Sequence, residues 1–167
     1  MGSSDQAVIV ALGSNLKGPY PSLEALLDAA LGSFAAEGLN VVARSGWWRS
    51  AAWPDPAQPD YRNGVAVVET GLSPRAALAA LRRIEHAFGR DRGERNAART
   101  LDLDLIAHGR TVLDAPDLAL PHPRAHERRF VMGPLAEILP QWRHPVLGAS
   151  AEELATAATV GADAAPG

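Results

Sequence analysis

Thr100-Leu101-Asp102-Leu103-Asp104-Leu105-Ile106-Ala107-His108 alternates leucine with aspartate over its first half. A period of two is the mark of a strand with one buried and one exposed side. The three leucines point one way and both carboxylates the other, with the Asp102 and Asp104 Cα atoms about 7 Å apart. Such a strand needs a sheet beside it and helices against its leucine side. Immediately upstream, Ser73-Pro74 is an N-cap followed by proline at the first helical position, and Leu78, Leu81, Ile84, Glu85 and Phe88 carry a helix to Gly89. Further back, residues 64–70 (GVAVVET) and 40–49 (NVVARSGWWR) are apolar, β-branched strand material. Leu23, Leu26, Leu27, Ala30, Leu31 and Phe34 recur at three and four and predict an amphipathic helix over 22–37, and residues 7–12 (AVIVAL) predict a buried first strand.

The order is strand, helix, strand, strand, helix, strand. That is the α+β, ferredoxin-like split βαβ plan, an antiparallel sheet with helices on one face. C-terminal additions follow. His108-Gly109 is expected to turn the chain into a short strand over 110–113, residues 126–139 are expected to be helical with a kink or break at Gly133-Pro134, and a marginal helix is expected over 150–158. Residues 160–167 are expected to fray. No repeat or linker divides the chain, so residues 1–167 are expected to form one domain with its core at about 7–145.

Composition narrows the function classes. With 167 residues, 47% apolar and 21% charged, the chain is an ordinary globular one, neither disordered nor collagen-like. It has no cysteine and therefore no disulfide or thiolate-metal framework. No apolar run reaches the roughly 18 residues of a membrane span, and the first five residues lack the features of a secretory leader. A cytoplasmic location is expected. The formal charge of −3 gives no general reason to bind nucleic acid or an anionic membrane, and a monomer is expected.

The basic residues are unusual in kind. All are arginine except Lys17, and Arg82, Arg83, Arg90, Arg92, Arg95 and Arg99 fall close together, just before the diacid strand. They read either as a compositionally biased, solvated face or as a phosphate clamp of bidentate guanidinium forks. The diacid also has two readings. It is either a solvated strand face or a site for a hard divalent cation such as Mg²⁺, which relieves the repulsion of two like charges. Together, a carboxylate pair and a glycine-containing, Arg-rich loop suit the holding of a polyphosphate. The usual nucleotide loops, G-x-x-x-x-G-K-[ST] and G-x-G-x-x-G, are absent. Gly13 at the end of the first strand is either a turn residue or a point of close backbone approach. His122 and His126 flank Pro123, which argues against a helical metal pair; His122 reads as a phosphate donor or a packed histidine.

Several fragments, in order, carry a resemblance. Ala11-Leu12-Gly13-Ser14-Asn15-Leu16, Gln58-Pro59-Asp60-Tyr61-Arg62-Asn63, Ile84-Glu85 followed by Gly89-Arg90-x-Arg92, Arg99-Thr100-Leu101-Asp102-Leu103-Asp104, Leu120-Pro121-His122-Pro123, and Arg128-Arg129-Phe130-Val131 with Pro134-Leu135-x-Glu137-Ile138 resemble the 6-hydroxymethyl-7,8-dihydropterin pyrophosphokinases of folate synthesis. The resemblance covers about residues 7–145. It implies a ferredoxin-like fold and transfer of diphosphate from ATP to the pterin hydroxymethyl group, with AMP released. It further implies that Asp102 and Asp104 hold two Mg²⁺ ions and that Arg90 and Arg99 close over the phosphates. Glu85, Arg92, His122 and Arg128 would contact ATP. Asn63 would bond the pterin edge, Phe130 would stack on its ring, and Ser50, Ala51, Trp53 and Tyr61 would line the pterin pocket.

Two departures stand out. A W-G-P-R segment common before the diacid strand is replaced by Asn96-Ala97-Ala98-Arg99, one residue shorter, and the usual T-P-P of the pterin loop is Ser50-Ala51-Ala52. Trp53 is expected to restore some of the missing aromatic cover. The competing classes are an RNA-binding module, which the acidic strand face opposes, and a regulatory module that binds nucleotide without turning it over.

Overall fold

The structure is a computed structural model describing residues 4–52, 57–89 and 101–167. In chain order its elements are β1 (Val8–Ser14), α1 (Leu23–Gly32), β2 (Asn40–Arg44), β3 (Trp48–Ser50), β4 (Tyr61–Glu69), α2 (Pro74–Ala87), β5 (Asp102–His108), β6 (Leu113–Asp114), β7 (Ala119–Leu120), α3 (Arg129–Ile138), α4 (Ala151–Ala157) and β8 (Ala165–Pro166). The main sheet runs β5-β1-β4-β3-β8, with β2 also on β4, and its pairs are antiparallel. This is the expected ferredoxin-like order.

Serine starts three of the helices. The Ser22, Ser73 and Ser150 hydroxyls accept from the amides of Ala25, Ala76 and Glu153, each satisfying one of the donors a helix start leaves over. The strands sort their side chains by parity. Val8, Val10 and Leu12 of β1 and Leu101, Leu103 and Leu105 pack with Leu27 and Ala30 of α1 and Ala77, Ala80, Leu81 and Ile84 of α2. Ile9, Ala11, Val65, Ile106 and Ala107 pack the other way, against Val131, Met132 and Leu135 of α3, Trp142, and Leu154 of α4. The C-terminal additions therefore cover the second sheet face, where helices on one face alone were expected.

A register shift places Ile9 opposite Ala107 and Val10 opposite Leu105, leaving Ile106 as a bulge. It turns both Ile106 and Ala107 toward α3. The Ile106 carbonyl then accepts the His122 amide at 2.8 Å, which ties the Pro121-His122-Pro123 segment to the diacid strand.

Other expectations change in detail. The strand predicted over 40–49 is two strands, because Ser45 exchanges bonds with Val65 through both its amide and its hydroxyl, so that three residues face two. The helix predicted over 22–37 ends at Gly32, and a short 3₁₀ turn then closes on Gly38 at φ 85°. The strand expected at 110–113 lies at Leu113–Asp114 and pairs with β7 instead of β5, closed by mutual Ala115 and Leu118 backbone bonds. The helix predicted over 126–139 begins as a 3₁₀ turn at Ala125–Glu127 and runs as α3 through Pro134, held by burial of residues 131–135. Residues 160–167, expected to fray, are placed against the rest of the fold. Ala165–Pro166 adds to β3, and Val160 forms a parallel bridge with Arg128.

Candidate active site

The site lies on the α3 side of the sheet, where the register brings together residues far apart in sequence. Gly13 of β1 stands between Asp102 of β5 and Asn63 of β4, and Asn63 in turn faces Trp48 of β3. Asp104 lies one step along, opposite Ala11. Gly13 is therefore more than a turn residue. A Cβ there would stand 2.8 Å from Asn63 Oδ1, so only glycine leaves room for the carboxamide to lie across the floor. Asn63 is buried, and its Nδ2 donates to the buried Ser50 hydroxyl at 2.9 Å, which fixes the orientation of the amide.

A cavity of about 800 Å³ opens over this floor. Asp102 and Asp104 line one part of it. Ser50, Ala51, Tyr61, Asn63 and Phe130 line another, and Arg124, Glu127 and Arg128 stand on the wall between β7 and α3. The Arg128 guanidinium lies 5.8 Å from the Phe130 ring centroid, a cation–π contact that leaves the charge near the cavity. Residues 159–163, which carried no sequence signal, complete the lining.

His122 sits beside Asp104. Burial pushes its imidazole below the ordinary histidine range, with Arg128 and Arg124 acting in the same direction and the Asp104 carboxylate opposing them. Its Nδ1 accepts the Arg124 amide at 3.2 Å, so in the neutral ring the proton is on Nε2, which is left as a donor.

Glu85 is in a different place from the cavity residues. Its side chain is 1% exposed on the α2 side of β5. Oε2 accepts the Leu103 amide at 2.8 Å, while Oε1 receives Arg82 Nη1 at 2.7 Å, and the same Arg82 nitrogen donates to the Leu103 carbonyl at 3.1 Å. Leu103, the edge-strand residue between the two aspartates, is thus clamped at both its backbone N–H and its carbonyl. Glu137 also binds backbone of another element: its carboxylate takes the Gly46 amide and the Trp48 indole N–H, tying α3 to the break between β2 and β3. Trp53, Arg90, Arg92 and Arg99 lie outside the described residues.

The donor set suits a hard cation shared with a ligand. Asp102 and Asp104 offer carboxylate oxygens on one face, and among the described residues no group of three or more His, Cys, Asp or Glu is gathered to cage an ion. Mg²⁺ commonly binds in that way, through one or two carboxylates together with substrate phosphates and water.

A family model for 7,8-dihydro-6-hydroxymethylpterin-pyrophosphokinase matches residues 9–140. Curated relatives named 2-amino-4-hydroxy-6-hydroxymethyldihydropteridine pyrophosphokinase include one from Synechocystis, 43% identical over 84% of this chain and 70% of its own length. Another, from Pseudomonas aeruginosa, is 41% identical over 84% of this chain and 85% of its own. A crystal structure of Plasmodium falciparum HPPK-DHPS A437G with SDX-DHP superposes with a TM-score of 0.71 over 90% of this chain at 13% identity. This chain spans 45% of that one, and the likeness at that identity is one of fold.

Proposed function

This chain belongs to the 7,8-dihydro-6-hydroxymethylpterin-pyrophosphokinase family, and from that premise we propose that it transfers the terminal diphosphate of ATP to the hydroxymethyl group of 6-hydroxymethyl-7,8-dihydropterin in folate biosynthesis, releasing AMP. The row Asp102, Gly13, Asn63 carries the reading, because one sheet face offers a diacid for phosphates and a buried carboxamide for a flat heterocycle. A carboxamide has both an acceptor and donors, which matches the mixed donor and acceptor edge of a pterin. Phe130 and Tyr61 supply ring faces beside it.

Asp102 and Asp104 would hold Mg²⁺, with two ions expected; when bound, the metal would neutralise phosphate charge and orient the hydroxyl. The chain's own work is positioning. Asn63, held by Ser50, sets the pterin; the His122 Nε2–H and the Arg128 guanidinium face the phosphates, and Arg90, Arg92 and Arg99 are assigned to close over them. The pterin hydroxyl oxygen attacks the β-phosphorus, the bond from that phosphorus to the AMP oxygen breaks in line, and the hydroxyl proton leaves to solvent. No residue is assigned as a general base, since alignment and charge neutralisation supply most of such an acceleration. The enzyme acts as a monomer in this reading.

The test is incubation with Mg²⁺, ATP and 6-hydroxymethyl-7,8-dihydropterin, with products followed by mass spectrometry and Asp102→Ala run alongside. AMP and pterin diphosphate in equal amounts, lost in the variant, are expected. ADP would place attack at the wrong phosphorus and overturn the reading.

A further inference from the structure

We propose that the C-terminal segment, residues 159–167, forms a wall of the pterin end of the cavity, and that Asp163 is a positioning residue for the pterin loop. This rests on the pterin reading given above. The segment is Ala- and Gly-rich and has no amphipathic pattern, so side-chain burial alone does not explain why it docks. Hydrogen bonds hold it at three separate places. At the start of α3, the Arg129 amide donates to the Val160 carbonyl at 2.8 Å, the Val160 amide donates to the Glu127 carbonyl at 2.9 Å, and Arg129 Nε donates to the Ala164 carbonyl at 3.0 Å. At the sheet edge, β8 pairs with β3, and the Gly167 amide donates to the Trp47 carbonyl at 3.1 Å.

The third place is the pterin loop itself. Asp163 Oδ2 accepts the Ala51 amide at 2.7 Å, directly after β3 and next to Ser50, whose hydroxyl orients Asn63. A carboxylate accepting a backbone N–H is a charge-assisted bond, and here it ties together two cavity-lining segments distant in sequence. Between these anchors the chain lies against the Phe130 ring. Gly161 has φ 70°, and a Cβ on it would stand 2.6 Å from Phe130 Cδ1, so the segment reaches the ring only because that residue is glycine.

The chemistry of the wall indicates which substrate it serves. Thr159, Val160, Gly161 and Ala162 are uncharged and bring no cation for a phosphate. Their anchors lead mostly to pterin-end elements, the Ser50-Ala51 loop, β3 and the turn of α3 that carries Phe130, while Val160 also bridges to the backbone of Arg128. A wall with no cation, whose one charge, Asp163, is bonded to the Ala51 amide, set against an aromatic ring and a buried carboxamide suits a flat heterocycle. Loss of the wall should therefore weaken the pterin and spare ATP.

Steady-state kinetics on the full-length protein test this, with KM for each substrate measured separately and melting followed for each variant. Ala162 is exposed and lines the cavity, so Ala162→Trp should fold and obstruct the pterin end, raising pterin KM by about tenfold or more with ATP KM within about twofold. Asp163→Ala should raise pterin KM about threefold to fivefold. Asp163→Asn keeps an acceptor for the Ala51 amide and should restore it to within about twofold. Ala162→Trp at the wild-type pterin KM removes the wall, and Asp163→Ala at the wild-type value removes Asp163 from its role. A lowered melting temperature with both KM values moving together would make the segment a structural strap and overturn the proposal. A wild-type protein that binds ATP and fails to bind the pterin would overturn the reading of the site, and the wall with it.

Discussion

The two faces of the sheet are built from the same strands and differ in what they bury. On the α1 and α2 side, Val8, Val10, Leu12, Leu101, Leu103 and Leu105 meet a continuous apolar layer. On the α3 and α4 side only part of the face is packed, by Ile9, Val65 and Ile106 against α3, and the remainder carries Asp102, Asp104, Gly13 and Asn63 around a cavity. Aspartate and glycine are poor strand formers, and two like charges on one face repel. β5 tolerates them because Leu101, Leu103 and Leu105, at most 3% exposed, hold the strand from behind. Stability is concentrated on one face and chemistry on the other.

That division is sharpest within β5, where neighbouring residues should give opposite results. Asp104→Ala is expected to reduce turnover about 10²- to 10³-fold, as loss of a principal electrostatic contact to the reacting phosphates does, while leaving the melting temperature level or higher. Leu103→Ala should do the reverse, costing about 3 kcal/mol of stability through lost burial and an unfilled cavity, with kcat retained in the folded fraction. Urea unfolding and turnover measured on both variants check this. A stability loss in Asp104→Ala equal to that in Leu103→Ala would break the comparison.

Glu85 is where the two faces meet. It is buried on the stabilising side, yet it clamps the peptide between the aspartates on the chemical side. Glu85→Ala leaves the Leu103 amide without its acceptor and Arg82 without its carboxylate, and is expected to cost about 2 to 3 kcal/mol. If the clamp also sets the aspartates, the Mg²⁺ concentration for half-maximal turnover should rise in the same variant. Glu85→Gln, which keeps an acceptor for Leu103, should lose less than half as much stability. A stability loss with no change in the Mg²⁺ response would confine Glu85 to the fold.

This sharing of roles explains how much could be read from the chain. The Leu-Asp alternation of residues 101–105 and the helix periodicities carry the sheet order because parity and spacing are local properties. The second layer of helices was legible only as separate segments, since Pro134 in α3 and the shortness of α4 hide what they cover. Gly13 left two readings open because the row it completes exists only after β1, β4 and β5 pair. Residues 159–167 were illegible as a wall: the groups they offer are mostly backbone, which every sequence possesses, and the Asp163 side chain finds its partner in a loop more than a hundred residues away. Glu85 fell at a helix position facing the core, but its partner is a backbone amide of another element.

Acid should distinguish the two faces with the smallest effect. The buried ionisable side chain on the leucine side is the carboxylate of Glu85, whereas the α3 and α4 layer carries imidazoles, with Trp142 packed against His144 and His144 against His126. Burial, reinforced by His126 and Arg110, lowers the His144 pKa to about 4, and its Nδ1 accepts the Val146 and Leu147 amides, which requires that nitrogen to be unprotonated. In the unfolded chain the same imidazole titrates near 6.5. Between these values the unfolded state binds the extra proton, so the contribution is complete above about pH 6.5 and is lost as pH falls toward 4. At pH 5 the loss attributable to this residue is at most about 2 kcal/mol. His144→Asn offers the same two amides an oxygen without a titrating group, so its stability should change less than wild type across that window in urea titrations at successive pH values. Equal slopes in the two proteins would remove His144 as the source of the acid sensitivity.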